Sequence, residues 1–410
     1  MDSYTELRQR EIDEIRTTDD DYETRLMEAA RRFRPFDAAL DPFLAEHGYT
    51  GSMEDTASKI AFIRRQFEQA GVPVPREIDK WYAEHQDIRR ETAFELCFAF
   101  GLGLGETDDF FYRVFSRERS FACHAAEEAV YYFCIRNRLP WSEAQRIIRC
   151  IPQVSMGKMD ASGEVLYTGS IMKEIDQMTD PEQLIAYLIG NVGQFCYNNA
   201  TASLLIGQLW VELTEVDGLL QRVRKELLPS QEPNTDADGK PKRVRKKDPK
   251  PMSSMEGWRA ILQIDRSSMQ DLNEGKQDSR SLKQVLALLP KATRDSFPDH
   301  QGIELILRGE HVSYERVRKW LILLAFTRHW LRLALERNGY GASGQDEGVA
   351  VDNINNFLSD AGYMELYPGN PYDWIFLFAC HTDEPLNIFR DIWNTLLVDT
   401  LEGRASANPN

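Results

Sequence analysis

The sequence has 410 residues, of which 49 are Lys or Arg and 65 are Asp or Glu, so its formal net charge is −16. Hydrophobic residues make up 42% and charged residues 28%, which is typical of a globular protein and excludes a disordered or fibrous chain. The length predicts about two to four domains. The acidic balance argues against a protein that coats nucleic acid or an anionic membrane with its whole surface.

Nothing in the sequence resembles a membrane segment or a secretory signal. The longest apolar run near a helix extends from Trp320 to Phe326, whereas a bilayer-spanning helix needs about 20 apolar residues. The first residues are polar and charged, without the basic and apolar regions of a signal peptide. The six cysteines are scattered in apolar contexts without a CxxC pair, as in proteins of a reducing cytosol. We expect a cytoplasmic protein that does not contact a membrane.

Apolar residues recur at helical spacing along almost the whole chain, which predicts an all-α protein with several domains. Residues 1–228 are expected to form an N-terminal helical region, and a subdivision near residue 150 is one interpretation. Helix starts are predicted in this region at Thr107–Asp109, at 140–143 with Ser142 as a candidate cap, and at 179–182 with Pro181 at the first helical position.

Residues 229–255 interrupt the helical pattern. This stretch contains five prolines, and seven of the eleven residues 240–250 are Lys or Arg. Proline and charge together prevent core formation, so the stretch is predicted to be a mobile basic linker. A solvated linker is the simpler interpretation, while electrostatic contact with an acidic partner or with nucleic acid is the alternative. The candidate contact residues are Lys242, Arg243, Arg245, Lys246 and Lys247.

Residues 256–402 are predicted to form a C-terminal helical domain, and residues 403–410 a disordered tail. Phe111 and Phe357 each end a predicted short helix, and Tyr131 and Leu377 follow them by 20 positions. A duplicated small helical module is one interpretation of this echo. Three amphipathic helices in succession are also common in unrelated chains, and this interpretation stays open.

Motifs that carry catalysis are missing from the sequence. We find no GxxxxGK[ST], HExxH or GxSxG. Phe-Ala-Cys-His occurs at 121–124 and at 378–381, but neighbouring Cys and His point about 100° apart on a helix and chelate zinc poorly. His124 and His311 each precede a glutamate by four residues, which more often indicates a helix-surface pair than a catalytic base. We therefore assign no catalytic, cofactor-binding or metal-ligating residue.

The strongest functional signal lies in residues 301–321, where a helical pattern ends at Arg308-Gly309 and a second pattern starts at Ser313. This segment resembles the third and fourth helices of lambda-repressor-like helix-turn-helix domains. The matching residues are Gln301, Ile303, Ile306, Arg308, Gly309, Ser313, Val317 and Trp320. The resemblance implies that the helix ending at Arg-Gly enters the DNA major groove. Positive charge for such a surface would come from Arg308, Arg316, Arg318 and Lys319.

Other features of the same segment favour a packing role. Glu304 would repel phosphate, and Leu305 and Leu307 make the first helix apolar nearly all round, as expected of a buried helix. Residues 303–337 nevertheless hold seven Lys or Arg against four Glu, a net charge of +3. A helix-turn-helix shape used for packing or for protein contact is therefore as consistent with the sequence as DNA reading.

These observations lead to three functional hypotheses. The preferred one is a non-enzymatic, helical regulatory or protein-interaction protein of a bacterial-type cytosol, whose partner is another protein and which needs no cofactor. The first alternative is a DNA-binding regulator of the helix-turn-helix type, for example from a defence or mobile-element system. The second alternative is an enzyme whose site is assembled from residues far apart in the sequence.

Overall fold

In a computed structural model of the protein, the described residues are 3–86, 88–115, 120, 121, 123, 125–152, 168–191, 195, 200–227, 250–262, 298–310 and 312–392. Over these ranges the backbone forms helices and loops but no strand. This confirms the prediction of an all-α protein. None of the described helices is both long and apolar enough to span a membrane.

The structure describes eighteen α-helices. In chain order they are α1 Ser3–Glu14, α2 Tyr22–Arg31, α3 Phe36–Glu46, α4 Thr56–Ala70, α5 Ile78–Ala83, α6 Arg90–Ala99, α7 Leu104–Phe110, α8 Ala126–Arg136, α9 Trp141–Cys150, α10 Thr168–Ile175, α11 Pro181–Gly190, α12 Ala200–Thr214, α13 Leu219–Glu226, α14 Ser254–Leu262, α15 His300–Leu307, α16 Tyr314–Arg337, α17 Asp346–Asp360 and α18 Pro371–Cys380. A π-helical turn, Phe111–Phe115, follows α7, and residues 385–392 are also helical.

Local sequence signals decide some helix starts and not others. Asp180 caps α11 as predicted, because its carboxylate accepts the backbone N–H of Glu182 at 3.0 Å. The predicted start at Thr107–Asp109 is wrong, since these residues lie inside α7, which begins directly after Gly103. The predicted opening at 140–143 is confirmed, because α9 begins at Trp141, but the cap position is occupied by Pro140 and not by Ser142. The glycine and the proline that precede these helices thus determine their starts more strongly than the polar side chains that follow.

The chain divides into two compact units that are each discontinuous in sequence. The first unit comprises residues 1–30, 201–361 and 371–410, and the second comprises residues 31–200 and 362–370. Residues 201–227 thus pack with the C-terminal helices, whereas the sequence analysis placed them in an N-terminal region. Helical periodicity shows that a segment is helical but not which other helix covers it. The linker at 229–255 and the tail at 403–410 stay predictions, because most of the former and all of the latter lie outside the described residues.

The duplicated module also stays a prediction. Phe111 begins the π-helical turn after α7, whereas Phe357 lies inside α17, three residues before its end. The two positions therefore do not occupy equivalent places in their helices, although both contribute aromatic rings.

Helix α16 is the centre of the first unit. Every residue from Val317 to Thr327 is buried, so this part of the helix is covered on all sides. Such burial is normal for an apolar helix, but the stretch also contains Arg318 and Lys319. A charge in this position requires a partner, because transfer of an unpaired ion out of water is very unfavourable.

Arg318 finds that partner in Asp373 on α18. The guanidinium Nη1 and Nη2 atoms each donate to one carboxylate oxygen at 2.7 Å, and the two side chains are only 2% and 0% exposed. The neighbouring hydroxyl of Tyr372 donates to the backbone carbonyl of Lys319 at 2.8 Å. Two adjacent side chains of α18 are thus tied to two adjacent residues of α16, which fixes the register of these helices.

Arg390 is a second buried arginine in the same unit, but its surroundings differ. It is 5% exposed, and its Nε donates to the backbone carbonyl of Ile261 at 3.2 Å. Among the described residues no carboxylate pairs with it, and burial lowers the pKa of its guanidinium to about 10. The first unit therefore holds one buried arginine with a carboxylate and one without.

The second unit has an aromatic core with its own buried ion pair. Arg90 on α6 donates through Nε and Nη2 to the carboxylate of Glu128 on α8, at 2.7 and 2.9 Å. Its guanidinium carbon lies 5.1 Å from the ring centroid of Phe111 and 5.6 Å from that of Phe94. A buried, bidentate and ring-stacked arginine therefore joins α6, α8 and the π-helical turn within this unit.

Removal of one member of the Arg318–Asp373 pair tests the packing of the first unit. We expect Arg318→Met to lower the free energy of unfolding by about 3–5 kcal/mol, because it leaves the Asp373 carboxylate in the core without its guanidinium. The double variant Arg318→Met with Asp373→Leu should recover much of this loss. Denaturant titrations followed by circular dichroism provide the measurement.

Arg390→Met is the matched control, since it removes a buried arginine that pairs with no carboxylate among the described residues. Its free energy of unfolding should equal or exceed that of the wild type. Equal destabilisation by Arg318→Met and Arg390→Met would show that the ion pair has no special part in the packing.

Candidate partner-binding site

The segment predicted to resemble a helix-turn-helix folds as two helices, α15 and α16, with a turn between them. Asp299 caps α15 by accepting the backbone N–H of Gly302 at 2.7 Å. Gly309 ends this helix in the left-handed region, with φ of 71°, where glycine is favoured. Two helices and a glycine turn are thus present at 300–337, but this arrangement alone does not define a DNA-binding surface.

Helix α15 is buried on one side only, which differs from the expectation of an almost wholly buried helix. Ile303 and Ile306 are buried, Leu305 is half-buried, and Leu307 is 43% exposed. Helix α15 has more apolar residues than positions covered by neighbouring helices. A prediction from its apolar composition therefore gave too high a burial. Leu307 instead adds an exposed apolar side chain to the surface.

The four cations predicted on this segment do not share one surface. The side chain of Arg308 is 65% exposed and lies near Glu304 and Glu310, at 3.7 and 3.9 Å. Arg316 is half-buried, whereas Arg318 and Lys319 are buried. In this fold Arg318 and Lys319 are core residues, and only Arg308 is well exposed to a partner.

Several other candidates lie outside the described residues, and the contact role of the linker cations stays a prediction. These residues are Lys242, Arg243, Arg245, Lys246, Lys247, His124 and His311. The described part of the chain contains no group of three or more His, Cys, Asp or Glu that could hold a metal ion. Burial raises the pKa of the Cys134 and Cys380 thiols to about 12, which disfavours the nucleophilic thiolate.

A groove that the sequence did not reveal lies along α17. This helix has two faces, because Ala350, Ile354 and Leu358 are buried in the unit while other positions remain open to solvent. The open positions and one arginine of α16 line a groove with a volume of about 420 Å³. Its lining residues are Arg328, Val349, Asp352, Asn353, Asn356, Phe357 and Asp360.

The arginine of the groove is held in place by neighbouring side chains. Arg328 Nε donates to a carboxylate oxygen of Glu212 on α12 at 2.7 Å, and its guanidinium carbon lies 5.8 Å from the ring centroid of Phe357. Arg332 Nη2 approaches the other carboxylate oxygen of Glu212 at 2.6 Å. Glu212 therefore anchors Arg328 at one edge of the groove, but its single negative charge is shared between two guanidinium groups.

The two carboxylates of the groove, Asp352 and Asp360, differ from Arg328 in their surroundings. Asp352 and Asp360 are exposed, and neither forms an ion pair within the described part of the chain. Asn356 is also exposed between them, and Val349 is 59% exposed. The groove thus combines apolar carbon, amide groups and free carboxylates, a mixture that suits binding.

A half-buried histidine lies next to Asn353 of the groove. His329 Nδ1 lies 3.5 Å from the amide nitrogen of Asn353, and its ring meets that of Trp330 edge-on at 5.0 Å between centroids. Burial lowers the pKa of His329, more than the nearby charges alter it. The neutral imidazole is thus the stable form in the fold, which makes this side chain part of the scaffold that supports Asn353.

Sequence reasoning missed the groove because its residues look like an ordinary solvent-facing helix side. Polar residues at 352, 353, 356 and 360 match the exposed face of any amphipathic helix. Val349 and Phe357 are apolar residues on the edge of that face, and they are the only local signal within α17 that it is not wholly polar. Isolated apolar residues of this kind are common on protein surfaces and do not identify a site.

Comparisons with known proteins do not extend these observations. The chain matches no known protein family, no curated protein and no solved structure. The geometry of the described residues is therefore the basis for any functional proposal.

The charge state of His329 predicts a dependence of stability on pH. The unfolded chain takes up a proton on this residue near pH 6.5, whereas the folded chain does so only at lower pH. The free energy of unfolding should therefore fall as the pH decreases below about 6.5, by at most about 1.4 kcal/mol per pH unit for this one group. His329→Gln should show a shallower decrease between pH 7.5 and 5.5, measured by denaturant titration. Curves of equal slope for both proteins would show that His329 titrates normally.

The different surroundings of Arg308 and Lys319 predict opposite effects of charge reversal. Lys319→Glu should lower the free energy of unfolding by more than about 2 kcal/mol, since a carboxylate would replace the buried ammonium that lies 5.4 Å from the Tyr372 ring centroid. Arg308→Glu should change it by less than about 0.5 kcal/mol. Thermal unfolding of both variants checks this difference. Equal tolerance of the two substitutions would place Lys319 on the surface.

Proposed function

We propose that the protein is a non-enzymatic, helical protein-interaction protein, and that a segment of its partner docks in the groove along α17. The observation that carries this proposal is the open groove of about 420 Å³ with mixed apolar and polar lining. A volume of this size accommodates a few side chains of a docked segment rather than a whole domain. Helical proteins commonly bind partner segments in grooves beside their helices.

The apolar part of the groove supplies a reason for association. Val349 is 59% exposed, and Phe357, in the same lining, is half-buried. A partner that covers these side chains gains roughly 25 cal/mol for each Å² of apolar surface removed from water. The amides of Asn353 and Asn356 then provide directional hydrogen bonds that orient the partner.

The chemistry of the groove favours binding over catalysis. Its described lining contains two carboxylates, two amides and one arginine, but no histidine, cysteine or lysine. The arginine is already engaged by Glu212, and no nucleophile lies beside a base in this lining. The free carboxylates would repel the phosphates of a nucleic acid. A protein partner therefore fits the groove better than a substrate or DNA.

A variant that fills the groove tests the proposal. Asn356→Trp places a large side chain in the middle of the groove, while Gln69→Trp makes the same type of change at an exposed position of α4. Affinity capture from the native cytosol, followed by quantitative mass spectrometry, should recover a protein with the wild type and with Gln69→Trp. Its recovery with Asn356→Trp should fall about tenfold, equivalent to a loss of roughly 1.4 kcal/mol.

Circular dichroism of the three proteins controls for folding. If every captured protein is recovered equally by all three, the groove is not the binding site. If nucleic acid co-purifies instead and is lost on Arg308→Glu, the DNA-binding alternative replaces the proposal.

A further inference from the structure

The charge of the groove indicates the chemistry of its occupant. This inference rests on the proposed function and concerns which kind of partner segment fits. Arg328 shares the single carboxylate of Glu212 with Arg332, so it keeps part of its positive charge. Asp352 and Asp360 outnumber it in the lining of the groove, and they are the groups that a cation can pair with. Both carboxylates are exposed, and their attraction for cations is weakened by no ion pair among the described residues.

The two carboxylates have a defined spacing. Asp352 and Asp360 are eight residues apart on one uninterrupted helix, α17. At a rise of 1.5 Å per residue this separation is about 12 Å along the helix axis. Asn356 and Phe357 lie between them in the lining of the same groove. The groove therefore presents two negative positions separated by an amide and an aromatic ring.

Arg328 and the two carboxylates lie at opposite edges of the groove. Arg328 belongs to α16 and is held towards Glu212, whereas both free carboxylates belong to α17. A cationic side chain that enters the groove is repelled from the α16 edge and attracted to the α17 edge. An acidic side chain would be repelled by Asp352 and Asp360 at the α17 edge.

We propose that the groove binds a segment of a partner protein that carries two basic side chains about 12 Å apart, with an apolar side chain between them that packs on Phe357. In an extended segment this spacing corresponds to residues four positions apart, at about 3.3 Å per residue. In a helical segment it corresponds to residues seven or eight positions apart. The basic side chains pair with Asp352 and Asp360.

The two kinds of contact have different roles. Exposed ion pairs change affinity only severalfold and are screened by salt, so the carboxylates mainly select the partner and speed its association. The apolar side chain on Phe357 supplies affinity that salt does not screen. Binding should therefore weaken with added salt but not vanish.

Selection from a library of random 12-residue peptides displayed on phage, with the full chain as bait, tests this proposal. The selected peptides should share two Lys or Arg at the predicted spacing around an apolar residue. Fluorescence anisotropy of a labelled selected peptide should show a Kd about tenfold higher for Asp352→Asn with Asp360→Asn than for the wild type. The matched control, Glu215→Gln with Asp383→Asn, changes the net charge equally at two exposed positions of the same unit and should leave the Kd unchanged.

Asn356→Trp separates this proposal from the broader one. Selected peptides that lack basic residues, or that bind equally well after Asp352→Asn with Asp360→Asn, overturn the basic segment. If those peptides still lose affinity on Asn356→Trp, the groove remains a protein-binding site. If no peptide is selected, or if binding is insensitive to Asn356→Trp, both the basic segment and the proposed function of the groove fail.

Discussion

The buried ion pair between Arg318 and Asp373 is the interaction on which the first unit depends. It allows α16 to be covered on all sides although the helix carries a charge in its most buried stretch. It also fixes α16 along its own axis, because two hydrogen bonds of 2.7 Å leave little freedom to slide. Arg328 lies ten residues further along the same helix, about 15 Å away, and its position beside Glu212 follows from that register.

The groove exists because α17 is only half used in packing. Its buried face contributes Ala350, Ile354 and Leu358 to the core of the unit. Its other face lines the groove, to which α16 contributes one residue, Arg328. That arginine is drawn towards Glu212, so it borders the groove without filling it. The Arg328–Glu212 ion pair therefore affects both the shape and the charge of the groove. It holds the arginine at the edge, so the groove stays open and the carboxylates of α17 are not paired with this arginine.

The sequence predicted the class of fold and part of its detail, but not the site. Helical periodicity and the cap at Asp180 depend on residues close together in the chain, and both predictions are confirmed. The burial of Arg318 depends on an aspartate 55 residues away, and one sequence does not reveal that pairing. The same limit applies to the discontinuous units and to Arg328, whose partner Glu212 is 116 residues distant. The sequence analysis therefore assigned Arg318 and Lys319 to a binding surface, whereas the fold buries both side chains in the core.

The central claim is that a partner covers the exposed face of α17, and hydrogen exchange of the backbone amides measures this directly. Mass spectrometry should compare the free protein with its complex with a captured partner or a selected peptide. Slower exchange on binding is predicted within 346–360 and in α16 around Arg328, with little change in α15. Protection concentrated in 300–310, with 346–360 unaffected, would contradict this claim. It would indicate that the partner binds the helix-turn-helix-like segment instead.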